Sequence, residues 1–167
     1  MYRGNRWQLM ADYNGWMNER LYAICASLTD DERKRNRGAF FKSIHSTLNH
    51  ILWADRVWMS RLGGQSYGAP GPLGTDVFAD FDELREARSS LDADISRWTA
   101  NLTEEQLNAP YTFVSSVLNI TRVQPTWSFV AHMFNHQTHH RGQLTTLLSQ
   151  AGIDPGVTDV LLMPQLE

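Results

Sequence analysis

A chain of 167 residues with 42% apolar, 20% charged and 11% aromatic side chains is too rich in core-forming residues for a disordered chain and long enough to bury one core without disulfide or metal staples. Its formal net charge of -3 offers no broad basic surface to a phosphate backbone or an anionic membrane, and no run of about 18 apolar residues is present to cross a bilayer. The single cysteine, Cys25, excludes an internal disulfide, and no apolar signal-peptide core follows residues 1–6, so a reducing cytoplasm is the expected home.

The first helix is expected from about Trp7 to Leu28, where Leu9, Met10, Tyr13, Trp16, Met17, Leu21, Ile24 and Leu28 recur at spacings of three and four. Cys25 lies inside that stripe and reads as a small buried hydrophobe rather than a nucleophile. Thr29 to Glu32 has the pattern of a capping box opening a short turn, and the basic run Arg33 to Arg37 behind it reads as a solvated helix end. A second helix begins at Ser43, a good N-cap, and runs to Leu62, where Gly63 and Gly64 end it. From Gly63 to about Asp80, glycine and proline replace periodic apolars, which predicts an irregular connection long enough to cross a bundle. A third helix follows from Asp80 to Trp98, and Thr103 to Gln106 offers another capping box. The β-branched and aromatic stretch Tyr111 to Gln124 predicts a short hairpin turning around Ser115 to Asn119. Pro125, suited to a first helical turn, opens a fourth long helix that runs to Ala151 and stops at Gly152. The expected fold is all-α: a single four-helix-bundle domain over residues 1–167, with a long crossover and a short β-hairpin before the last helix.

That last helix holds four of the chain's six histidines between Trp127 and Leu144. Residues of a helix advance by about 100° each, so Phe129, Met133, Leu144, Leu147, Leu148 and Ala151 fall between roughly 20° and 120° from His136. His140 lies about 40° from His136, inside this core-facing stripe, while His132 and His139 lie about 40° and 60° to its other side. A neutral imidazole on an apolar face needs a partner: a metal ion shared by the i, i+4 pair, or a carbonyl or carboxylate for each. Open metal sites commonly use three protein ligands, and the remaining candidates are His45 and His50 in the second helix. Their helical directions do not choose between them. Position along the helix favours His50, since His45 sits in a first turn open to solvent.

Three segments carry a family resemblance: Tyr13 to Leu21, Ser43 to Trp58, and His132 to Gln143, continued through Pro155. On these the chain resembles the DinB/YfiT-like superfamily, often called the DNA-damage-inducible DinB family, over essentially its whole length. The resemblance implies a four-helix bundle holding a nickel- or zinc-type divalent ion on His50, His136 and His140. Members of that superfamily include thiol-dependent S-transferases, a mycothiol-dependent maleylpyruvate isomerase, metal-dependent hydrolases and proteins without assigned activity.

A divalent metal on three neutral histidines would activate a low-molecular-weight thiol or a water. The last helix contains no Asp or Glu, unlike a His-Glu-x-x-His metalloprotease helix, so the thiol route is favoured over hydrolysis. The alternative is a non-enzymatic metal- or ligand-binding stress-response protein. Asp55, Arg56 and Arg141 could orient a ligand or meet a substrate, although interhelix ion pairs are the commoner fate of such residues. Asn14, Trp16 and Asn18 are explained adequately by packing and interhelix hydrogen bonds. The expected partners are a small-molecule substrate and a second copy of the chain as a homodimer, with neither nucleic acid nor membrane.

Overall fold

Asn5 opens the first helix by accepting hydrogen bonds from the backbone N–H groups of Trp7 and Gln8 at 2.8 and 2.9 Å, two of the donors that a helix start leaves unpaired. The structure, a computed structural model, describes residues 4–68, 71–115 and 119–166. Its long helices are α1 (Arg6–Ala26), α3 (Ile44–Leu62), α4 (Phe81–Ala100) and α6 (Thr126–Gln150), with short helices α2 (Asp30–Lys34) and α5 (Glu104–Asn108) and strands β1 (Pro110–Ser115) and β2 (Ile120–Pro125) between them. The ends of α1 and α4 differ from the sequence expectation by only one or two residues. Pro125 stands at the N-cap of α6 with an extended backbone, one residue outside the first turn expected for it.

Capping explains most of the boundaries. Ser43 Oγ accepts from Ser46 N–H at 3.0 Å to start α3, and Gly64, at φ 68, takes the left-handed conformation that follows its C-cap. At Thr103 the capping box closes in both directions. Beyond α6, Gly152 at φ 78 lets its own N–H reach Ser149 O and Ile153 N–H reach Leu148 O, both at 3.0 Å, which is the Schellman pattern.

Interhelix contacts fix the directions of the helices. Asn5 donates to the carbonyl of Thr99, and Tyr22 stacks on Phe81, so α1 and α4 run antiparallel. Asn49 meets Phe78, Asp55 meets Arg88 and Gly63 lies by Trp98, so α3 and α4 run parallel. His50 meets His140, and Trp58 meets Phe129, so α6 runs antiparallel to α3. Parallel neighbours cannot be joined by a tight turn. The connection over residues 63–80 must therefore travel back along α3, whose 19 residues span roughly 28 Å. This is the long crossover. Its far end is gripped at Phe78, whose N–H donates to Asn49 Oδ1 at 2.9 Å and whose carbonyl accepts from Asn49 Nδ2 and His45 Nε2 at 3.1 and 2.9 Å. His45, expected in a solvated turn, is instead fully buried, because the crossover covers the start of α3.

The core draws on all four long helices, with Leu21, Leu48, Leu52, Leu84, Ile95, Met133 and Leu148 among its members. The hairpin pairs Pro110 with Pro125 through Ser115 with Ile120, and Tyr111 and Phe113 lay one face of it against Phe129 and Trp58. The turn expected between Ser115 and Asn119 falls on residues 116–118, outside the described residues. Among the described residues no helix is long and apolar enough to cross a membrane.

Candidate metal centre

Helix α3 is buried on nearly every side over its first four turns, and α6 turns one face inward. Across that interface the structure brings together the rings of His50, His136 and His140. Their Nε2 atoms form a triangle with sides of 3.3 Å (His50 to His136), 3.1 Å (His50 to His140) and 3.0 Å (His136 to His140). His45 is not part of this group; His139 lies exposed, and His132, although exposed, rests its ring edge-on against Trp58 of α3 at 5.0 Å rather than joining the triangle.

The surroundings fix the rings. Residues 39–42 form a tight turn with Lys42 at φ 66 and a bridge from Ala39 to Lys42, which leaves Phe40 in solvent and inserts Phe41. The Phe41 ring stacks on His50 at 3.8 Å between centroids and meets His140 edge-on at 5.5 Å. Trp53, one turn along α3, stacks more distantly on His50 at 6.0 Å. Gln143 Oε1 accepts from His140 Nδ1–H at 2.8 Å, so the ring proton sits on Nδ1 and the Nε2 lone pair faces the other two histidines. Burial, then the charge of His140, pushes the His50 pKa down to about 4. Burial, then the neighbouring histidines, pushes His136 down to about 3. His140 is lowered mainly by burial. All three are therefore neutral near pH 7, the form that donates a lone pair to a cation.

The donor set fits a transition-metal ion. Imidazole nitrogens bound at about 2.0–2.1 Å with angles of roughly 90–110° stand about 2.9–3.4 Å apart, and the three observed separations fall in that range. Nδ1 of His50 and Nδ1 of His136 have no hydrogen-bond partner among the described residues. If both carry their proton on Nδ1, three lone pairs face one another. If both carry it on Nε2, a single acceptor on His140 must serve two donors. A cation at the centre takes all three lone pairs.

Beside the triangle lies a polar network that includes four residues singled out in the sequence. Asp55 Oδ2 accepts from Arg88 Nη1 at 2.5 Å, and Asp92 Oδ1 accepts from Arg88 Nη2 at 2.7 Å. Asn14 and Asn18 donate to Asp92 at 3.0 and 3.1 Å, and Arg141 donates to Asn14 Oδ1. Burial opposes the charge on Arg88, but Asp92 and Asp55 more than offset it and hold its pKa above the ordinary value. Asp55, Asn14, Asn18 and Arg141 thus hold the helices together, and Trp16 packs against the core beside Tyr13. Cys25 is buried, and burial pushes its thiol up to about 12, far from a nucleophile. The sequence reading missed Phe41, Gln143, Arg88 and Asp92. A signal existed for two of them: Gln143 follows His140 by one helical turn, and Arg88 interrupts the apolar stripe Leu84, Leu91, Ile95 at its centre.

Comparison with known proteins bears on the family and the fold. Protein DinB of Bacillus subtilis (strain 168) is 25% identical over 158 residues, which cover 89% of this chain and 87% of that protein. The uncharacterized protein YrdA of the same organism is 27% identical over 139 residues, covering 78% and 75%. The crystal structure of a DinB-like protein from Bacillus cereus ATCC 10987 matches with a TM-score of 0.66 over 85% of this chain and 91% of that one, at 24% identity, a likeness that bears on the fold. The DinB family model matches residues 1–167, and the chain belongs to the DinB family.

Proposed function

We propose that this protein binds a divalent transition metal, zinc or nickel, through Nε2 of His50, His136 and His140, and that it transfers the sulfur of a low-molecular-weight thiol onto a small electrophile. The observation that carries the reading is the convergence of three neutral imidazole nitrogens from two helices at ligand spacing. Bound there, a divalent ion would supply Lewis acidity and lower the pKa of a thiol or a water.

The chain's own residues govern the rest. Gln143 fixes the tautomer of His140, and Phe41 holds the plane of His50 and limits water around it. Hydrolysis needs a base to take a proton from water. Helix α6 offers no carboxylate, and Asp55, the acid nearest His50 in sequence, is committed to Arg88. This ranks thiol transfer above a metal-dependent hydrolase. The second reading, a non-enzymatic metal- or ligand-binding stress-response protein, needs a closed coordination sphere. Among the described residues no further His, Cys, Asp or Glu joins the three histidines, which favours an open position. We also propose a homodimer, supported by exposed Val114 and Val123 on the outer face of the hairpin; sedimentation velocity tests it.

The test of the site is metal analysis of purified wild type beside His50→Ala, His136→Ala and His140→Ala. Wild type should carry a stoichiometric ion and each variant should lose most of it. Equal metal in all four proteins would sink the reading. With the site established, a screen of small thiols against electrophiles, run with and without chelator, separates transfer from hydrolysis and from binding alone.

A further inference from the structure

One cavity, of about 190 Å³, lies between α3 and the crossover and is lined by Trp53, Arg56, Val57, Arg61, Tyr67 and Val77. It begins beside the histidine centre, because Trp53 both lines it and stacks on His50. Trp53, Val57 and Arg61 follow His50 by three, seven and eleven residues, so they share its side of α3 to within about 60°, and Val57 lies roughly 10 Å along the axis. The cavity therefore lies on the same side of α3 as His50, with Trp53 shared between the two.

Its two arginines are held differently from the others nearby. Arg88 and Arg97 sit on carboxylates. The Arg56 guanidinium instead lies over the Phe78 ring at 5.1 Å, and that of Arg61 lies over Trp58 and Phe113 at 5.3 and 5.4 Å. A ring contact occupies the face of a guanidinium and leaves its N–H edge free for a planar anion. Arg56 Nε is buried without a hydrogen-bond partner among the described residues, and burial together with Arg88 weakens its hold on its proton. An anion would relieve both conditions. The Tyr67 hydroxyl already donates to Asp94 at 2.8 Å, so the charged donors that face a ligand are the arginines, with the Ser60 hydroxyl beside them, while Trp53, Val57 and Val77 supply apolar walls.

We propose that this crevice binds the carboxylate of a small molecule whose reacting end lies at the histidine centre. The proposal rests on the metal reading above only for the position of the reacting end. Arg56 also borders a hollow that contains Glu83 and Glu86, and a purely structural arginine paired there would affect stability without selecting among ligands.

The experiment is a calorimetric titration of zinc-treated protein with 6-mercaptohexanoate, 6-mercaptohexanol, hexanoate and hexanol. It uses wild type, Arg56→Gln, Arg61→Gln, whose side chain is exposed and safe for folding, and His140→Ala. In wild type each acid should bind about tenfold or more tighter than its alcohol, the scale of one charge-assisted hydrogen bond. That preference should vanish in Arg56→Gln and weaken in Arg61→Gln. His140→Ala should keep it while losing the extra affinity that the thiol brings. If the thiol adds nothing in wild type but acids still outbind alcohols, the metal reading fails and the crevice stands. If acids and alcohols bind alike in wild type, or the preference survives in both arginine variants, the crevice is not a carboxylate site.

Discussion

His136 makes its chemistry visible through what burial does to its proton. Its folded pKa is pushed down to about 3, and that of His50 to about 4, against an ordinary histidine value of about 6.5. Above pH of about 6.5 both rings are neutral in the folded and the unfolded chain, and they contribute nothing to the pH dependence of stability. As pH falls below that value the unfolded chain takes up protons that the folded chain refuses, so stability declines from about 6.5 down through the folded values. The metal-free protein should therefore lose stability between pH 7.5 and 5 when urea midpoints are measured in chelator. His136→Phe, which keeps a ring of similar bulk and does not titrate, should show a shallower decline. An equal slope in both proteins would mean that His136 titrates normally and is not the buried neutral ligand inferred from the geometry.

Helix α6 presents the metal pair, and its far end is set by one residue. Gly152 at φ 78 takes a conformation that costs an L side chain roughly 1–2 kcal/mol, and nothing lies within 4 Å of a Cβ placed there. Gly152→Ala should thus destabilise by about 1 kcal/mol through backbone strain alone, read as a lower urea midpoint with unchanged metal content. This stop was legible in the sequence, as were the apolar stripes and the caps at Ser43 and Thr103, because each is a local signal. The inward pointing of His136 and His140 was legible for a related reason. Helix α6 is exposed on one side, so its polar and apolar faces contrast. Helix α3 lacks that contrast. His45, Thr47, Asn49, His50 and Asp55 are all buried, and a helix covered all round gives no direction from periodicity, which is why His50 rested on position and resemblance. Phe41 was not legible because a turn between helices, rather than helical spacing, carries it to His50.

Across the whole molecule, one polar network takes a member from every long helix: Asn14 and Asn18 from α1, Asp55 from α3, Arg88 and Asp92 from α4, and Arg141 from α6. Such a network fixes helix register as well as charge balance, since each partner can be satisfied in only one alignment. It also joins the same two helices, α3 and α6, that the histidines join. Two kinds of interhelix link can be separated by their energetics. Removing Asp55 leaves Arg88 buried with one carboxylate fewer, and breaking a buried pair costs about 3–5 kcal/mol. Metal binding stabilises by mass action, about 2.7 kcal/mol at a hundredfold excess over Kd, which for a chain of this size raises Tm by about 5–10 °C. Asp55→Ala should therefore melt well below wild type yet gain a similar increment when zinc or nickel is added. His50→Ala should lose the increment, with a metal-free Tm much closer to that of wild type. Thermal scans of the three proteins with and without metal decide the matter. If Asp55→Ala abolished the increment while remaining folded, Asp55 would belong to the metal centre itself rather than to the scaffold that aligns α3 with α6.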